Sequence, residues 1–141
     1  MNGKSFSKYA RIVFIAYIVI LLMITAIRPW IADYHFMGGR LNLVPFAEYR
    51  FVLNGGALSF VYLFFGNILW FIPLGYYCVA YEKKTIGIAV LMGLALSLCI
   101  EVLQFVLGTG ISEIDDLILN ALGSFLGALI ARMVHKKSKI D

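Results

Sequence analysis

The chain has 141 residues, of which 62% are hydrophobic, 15% aromatic and only 14% charged, and its mean hydropathy is +0.90. Ordinary soluble domains are roughly 45–50% apolar and about 25% charged, so this balance excludes a disordered chain and a soluble enzyme and points to a membrane protein of one domain, residues 1–141. The net charge of +4 does not mark nucleic-acid binding, because the basic residues crowd both ends and one short loop, and Cys78 and Cys99 lie in apolar runs without disulfide spacing.

Spanning a hydrocarbon core of roughly 30 Å takes about 20 apolar residues in a helix. Segments near 9–27, 57–81, 85–107 and 117–134 meet that requirement, which predicts an all-α integral membrane fold of four transmembrane helices. The first segment follows Lys4, Lys8 and Arg11 and has the outline of a signal peptide, but no small-residue cleavage site follows it, so it is expected to stay attached. Trp30, Tyr34, Tyr49, Tyr76, Tyr77 and Tyr81 fall where interfacial aromatic belts belong.

Lys83 and Lys84 mark the loop between spans two and three, and Arg132, Lys136, Lys137 and Lys139 mark the tail. By the positive-inside rule both termini face the cytoplasm, and the long first loop, about 28–56, and the acidic third loop face outward. The first loop is longer than a compact domain usually needs, which suggests a function of its own. Within it, Phe46 to Leu53 alternates apolar and charged residues as a short interfacial helix would, with Pro45 at its start.

Span two holds Gly66, Asn67, Pro73 and Gly75. Proline there removes a backbone hydrogen bond and leaves a carbonyl open to a side chain or ligand. Span three carries Ser97, Glu101 and Gln104 at steps of four and three, which places them on one helix face. An ionisable residue inside a span is costly. Glu101 is therefore read in two ways: as a proton-carrying, catalytic or ligand-binding carboxylate, or as a buried carboxyl that ties helices together. Span four opens with Glu113, Asp115 and Asp116, where acids suit the helix dipole and can cap free N–H groups. Asp116 leads a different stripe, followed by Asn120, Gly123, Gly127 and Ala131. The Gly123 and Gly127 spacing is the one that lets membrane helices approach closely. Asn67, Glu101 and Asn120 all fall in the outer half of the bilayer.

No His or Cys pair has metal-ligand spacing, and no nucleophile elbow or phosphate-cradling loop is present. Asp115 with Asp116 remains a weak candidate for a divalent metal held together with a lipid phosphate. No cofactor is expected.

Four pieces in order, Asn42-Leu-Val-Pro45-Phe46, then Asn67 through Gly75, then Ser97 with Glu101-Val-Leu-Gln104, then Ile114-Asp115-Asp116 through Asn120 with Gly123 and Gly127, resemble the VanZ-like family. Glu113 stands where an Asp is usual and Gly110 where many members have Arg. The resemblance implies a bacterial plasma-membrane protein, chiefly of Gram-positive organisms, whose founding role is low-level resistance to teicoplanin and related glycopeptides. The expected reading is a pocket of Asn42, Pro45, Asn67, Glu101, Gln104, Asp116 and Asn120 that binds a membrane lipid, a lipid-linked precursor or a lipoglycopeptide, with Pro73, Gly75, Gly123 and Gly127 as packing positions. Alternatives are an intramembrane enzyme acting on a polyisoprenoid or phospholipid phosphate, and a small proton-coupled transporter using Glu101.

Overall fold

The computed structural model describes residues 3–27, 39–46 and 57–137. Helix α1 spans Gly3–Leu22 and runs on as a π-helical turn, Met23–Ile27. Helix α2 is Ala57–Ala80, α3 is Ile86–Leu107 and α4 is Ile114–Lys137. Two short strands, β1 (Arg40–Asn42) and β2 (Ile111–Glu113), lie in the loops. Four helical stretches, Lys8–Ile27, Val61–Ala80, Ile86–Leu107 and Ile114–Lys136, are long and apolar enough to cross a membrane. The protein is an all-α, multi-pass membrane protein. Trp30, Tyr34 and Tyr49 lie outside the described residues, as does the proposed interfacial helix beyond Phe46.

Because successive spans alternate in direction, α2 and α4 run parallel with α3 antiparallel beside them. α4 is the most enclosed span and α1 the least. The tightest seam is between α2 and α4. A Cβ on Gly123 would collide with the Ile68 carbonyl, one on Gly127 with the Ile72 carbonyl, and one on Gly75 with the backbone of Ser124. The helices therefore meet backbone to backbone, close enough for Cα–H groups to face carbonyl oxygens. Phe71, Leu74 and Cys78 of α2, Ala89 and Ile100 of α3, Ala128 of α4 and Leu21 of α1 form the main apolar core. Val13, Leu69, Leu91 and Met133 point outward, where lipid would cover them.

Pro73 is absorbed inside α2, which stays continuous. Its ring deprives the Leu69 carbonyl of a donor. The Tyr17 hydroxyl of α1 donates to the next carbonyl along, that of Trp70. At the end carrying the termini, Tyr77 is buried, stacked on Phe14 at 3.8 Å, and its hydroxyl donates to Glu82 at 2.9 Å.

The α2–α3 turn is short, and α3 starts on Thr85, whose hydroxyl accepts the Ile88 N–H. It stops at Gly108, whose left-handed φ of 65° turns the chain into β2. β2 pairs in parallel with β1, matching Arg40 with Ile111, Leu41 with Ser112 and Asn42 with Glu113. Such strands are too short for an alternating sequence pattern to reveal. They pair because both cross the loop end of the bundle, where their backbone groups need partners. α4 begins at Ile114, three residues before the expected start, because β2 feeds it directly.

Gly127→Leu is expected to lower folded yield and melting temperature in detergent, since bulk forced into a packed seam costs roughly 1–3 kcal/mol. Gly87→Ala, with nothing within 4 Å of the added methyl, should match the parent in the same thermal assay.

Candidate functional site

Polar side chains in the described spans gather at the loop end. Glu101 of α3 is 5% exposed, and its Oε2 accepts the Glu113 N–H of β2 at 2.9 Å. The Ser112 hydroxyl donates to the Glu101 carbonyl at 2.8 Å. One residue of α3 therefore holds β2 by both its side chain and its backbone. β2 in turn carries β1, so the first loop is tied to the bundle through Glu101.

The adjacent acids of α4 divide, since successive helical residues point about 100° apart at 3.6 residues per turn. Asp115 is 0% exposed, and both its oxygens accept the Phe46 N–H at 2.9 Å. Phe46 sits in a turn at φ 58°, a conformation costly for a bulky side chain, so Asp115 fixes the end of the β1 segment. The sequence predicts an N-terminal cap at Asp115. Its carboxylate instead ties down the first loop, because that loop places an N–H against the start of α4. Asp116 turns inward and accepts from Asn67 Nδ2 of α2. Among the described residues no group of three or more His, Cys, Asp or Glu is placed to hold a metal.

Asn67, Glu101, Gln104, Asp116 and Asn120 line one enclosed cavity of about 110 Å³ between α1, α2, α3 and α4. Thr25 and Trp70 stand at its edge and also line a wider, more open vestibule of about 400 Å³, whose rim includes Tyr62, Glu113 and Ile111. Asn67 and Asp116 belong to both spaces. Inside the cavity Asn120, 4% exposed, donates to Ser97 Oγ at 2.8 Å, leaving its Oδ1 unpartnered. Gln104 Nε2 donates to the Thr25 carbonyl at 3.2 Å, and its Oε1 has no partner. The π-turn holding Thr25 widens the backbone there, which is a common feature of functional helix segments.

Asn42 and Pro45 line neither space. Asn42 donates to Glu113 Oε1 at 3.4 Å, and its Oδ1 accepts the Val44 N–H at 3.2 Å. Pro45 is exposed in the turn that Asp115 holds. Asn42 ends β1, and Pro45 lies in the turn that follows it.

A family model described as VanZ/LLP1 matches residues 12–135. The chain belongs to the VanZ/LLP1 family. No curated protein and no solved structure matches it. The segments that carry the VanZ-like resemblance fall on one construction: residues 42–46 hold the last residue of β1 and the turn after it, Asn67 and Asp116 bridge α2 to α4, and Glu101 grips β2. Glu113, a departure from the usual Asp, contributes its backbone N–H to that grip, and any residue type except proline would supply the same donor.

Three residues that build the cavity and the strand pair beside it carry no signal of charge or spacing. Thr25 is a single hydroxyl in an apolar run, Trp70 reads as a lipid-facing aromatic, and Ser112 reads as loop.

Asp115→Ala should leave the helices intact while releasing the loop. The Phe46 N–H loses the acceptor that holds it, and a typical hydrogen bond contributes about 0.5–1.5 kcal/mol. Amide hydrogen exchange at Phe46 is expected to speed up at least ten-fold, with exchange in α2 and α4 unchanged.

Proposed function

We propose that this VanZ/LLP1 protein is a binding protein of the bacterial plasma membrane that lowers susceptibility to teicoplanin-type glycopeptides by holding a polar lipid head group, a lipid-linked precursor or the drug itself at the loop end. What supports the reading is the convergence of Asn67, Glu101, Gln104, Asp116 and Asn120 on one cavity that adjoins an open vestibule. Polar groups inside a membrane are expensive, and five on three helices around a shared space exceed what packing requires. The positive-inside distribution supports cytoplasmic termini, with Lys83, Lys84 and Arg132 at the terminal end and the acidic Glu113, Asp115 and Asp116 at the other. The cavity then opens to the outer leaflet, the side on which glycopeptides meet their target. An enzyme built on a metal-binding Asp115–Asp116 pair is less well supported, since the two carboxylates turn to different partners.

The test separates site from scaffold. Glutamine preserves the volume of Glu101 and can still accept the Glu113 N–H, but it cannot ionise. Glu101→Gln and Asp116→Asn are expected to express and fold like the parent, yet to lose protection against teicoplanin in a cell that depends on this protein for it. A well-expressed Glu101→Gln protein that protects fully would reduce Glu101 to a structural tie. Orientation is checked by Pro45→Cys, which should react from outside intact cells with a membrane-impermeant maleimide, while a reporter fused after Asp141 reads as cytoplasmic.

A further inference from the structure

The inner cavity is walled in part by groups that both give and take hydrogen bonds. Three amides, Asn67, Gln104 and Asn120, line it together with Thr25. Each amide carries two N–H donors and a carbonyl oxygen. The amide of Gln104 can lie only one way round, because the Thr25 carbonyl only accepts and so must face Nε2. Its Oε1 is thereby left as a buried acceptor without a partner, while Nε2 carries a second N–H. Asn120 is 4% exposed, donates to Ser97 and has an unpartnered Oδ1. Turning that amide over, with the Ser97 hydroxyl as donor, would leave an N–H free in the place of the oxygen. A partner that both donates and accepts meets either arrangement, and unmet buried polar groups favour whatever supplies the missing bonds.

We propose that the cavity takes a hydroxyl of a sugar head group carried by an amphiphile, with the sugar ring in the vestibule beside Trp70. This deepens the binding reading above and rests on it. About 110 Å³ has room for a few water-sized groups, and a polar space of that size with several partners suits ordered water. A ligand group that displaces ordered water keeps its affinity only by reproducing the same hydrogen bonds. An alcohol does so, since its O–H donates to Gln104 Oε1 while its lone pairs accept an amide N–H. An ammonium only donates, an ionised phosphate only accepts, and a trimethylammonium does neither. The vestibule of about 400 Å³ shares Asn67 with the cavity and has Trp70 and Tyr62 on its wall. A sugar ring has apolar C–H faces and a polar rim, which suits aromatic side chains that combine an apolar body with a polar tip. Two sources share this chemistry, a sugar-bearing lipid of the membrane and the sugars of a glycopeptide.

The experiment uses Trp70 as reporter. The chain has two tryptophans, so Trp30→Phe leaves Trp70 alone. The purified full chain, in micelles of a detergent without a sugar head group, is titrated with short-chain glucosyl-diacylglycerol, phosphatidylethanolamine or phosphatidylcholine, and separately with teicoplanin. The expected result is a saturable change in Trp70 emission with the glucosyl lipid, at least ten-fold tighter than with either phospholipid. Gln104→Met keeps the length of the side chain and removes its amide, and it should weaken that binding at least ten-fold. The lipid comparison needs no change at Gln104, so it decides even where this variant misfolds. Saturable binding of teicoplanin alone, competed by methyl glucoside, supports the hydroxyl site with the drug as its source. Teicoplanin binding that methyl glucoside leaves untouched, equal responses to the three lipids, or full glucosyl-lipid binding by a folded Gln104→Met protein overturns the hydroxyl assignment while leaving a binding cavity. No saturable response to any probe overturns both the assignment and the binding reading on which it rests.

Discussion

Everything at the loop end depends on how closely α2 and α4 approach. Gly75, Gly123 and Gly127 remove the side chains that would hold the two backbones apart, and the Ile68 and Ile72 carbonyls lie directly against α4. Without a hydrophobic drive between helices in lipid, such small-residue contacts are what fixes their register. That register decides the chemistry. One residue from Ile68, Asn67 reaches Asp116, and one turn below Asp116 stands Asn120. A slipped or splayed pair would take the Asn67 amide away from Asp116, and an ionisable group inside a span is costly to leave short of hydrogen bonds.

On this parallel pair α3 adds Glu101 and Gln104, and α1 closes the side with Thr25. The two acidic residues that begin α4 then serve opposite purposes. Asp115 faces the covering loop and holds Phe46 in a conformation a bulky residue resists. Asp116 faces the cavity. Glu101 does both, since its side chain lines the cavity while it grips β2. Occupation of the cavity and attachment of the strand pair thus share one carboxylate, and a ligand that draws on Glu101 competes with the Glu113 N–H for it.

The four helices were legible in the sequence because length and hydropathy alone determine a span. The polar face of α3 was legible for the same reason that it is costly: Ser97, Glu101 and Gln104 stand out against an apolar run at helical spacing. The roles of Asn42, Pro45 and Asp115 were not. They depend on β1 meeting β2, a contact between segments about seventy residues apart in which each strand has three residues, too few for any periodicity. Likewise the split between Asp115 and Asp116 needs the position of the first loop, which no local pattern specifies. Thr25 joins the site because its backbone carbonyl, not its side chain, receives Gln104, and a backbone carbonyl leaves no mark in a sequence.

The central claim is that the space bounded by Asn67, Glu101, Gln104, Asp116 and Asn120 is a binding site open to the membrane at the loop end. An experimental structure of the protein in lipid nanodiscs tests it most directly. The account predicts density running from the vestibule beside Trp70 into the cavity and ending within hydrogen-bond distance of Gln104 Oε1, with β2 still held to Glu101. A closed cavity, in which Gln104, Asn120 and Glu101 satisfy one another and no density enters from the vestibule beside Trp70, would contradict it.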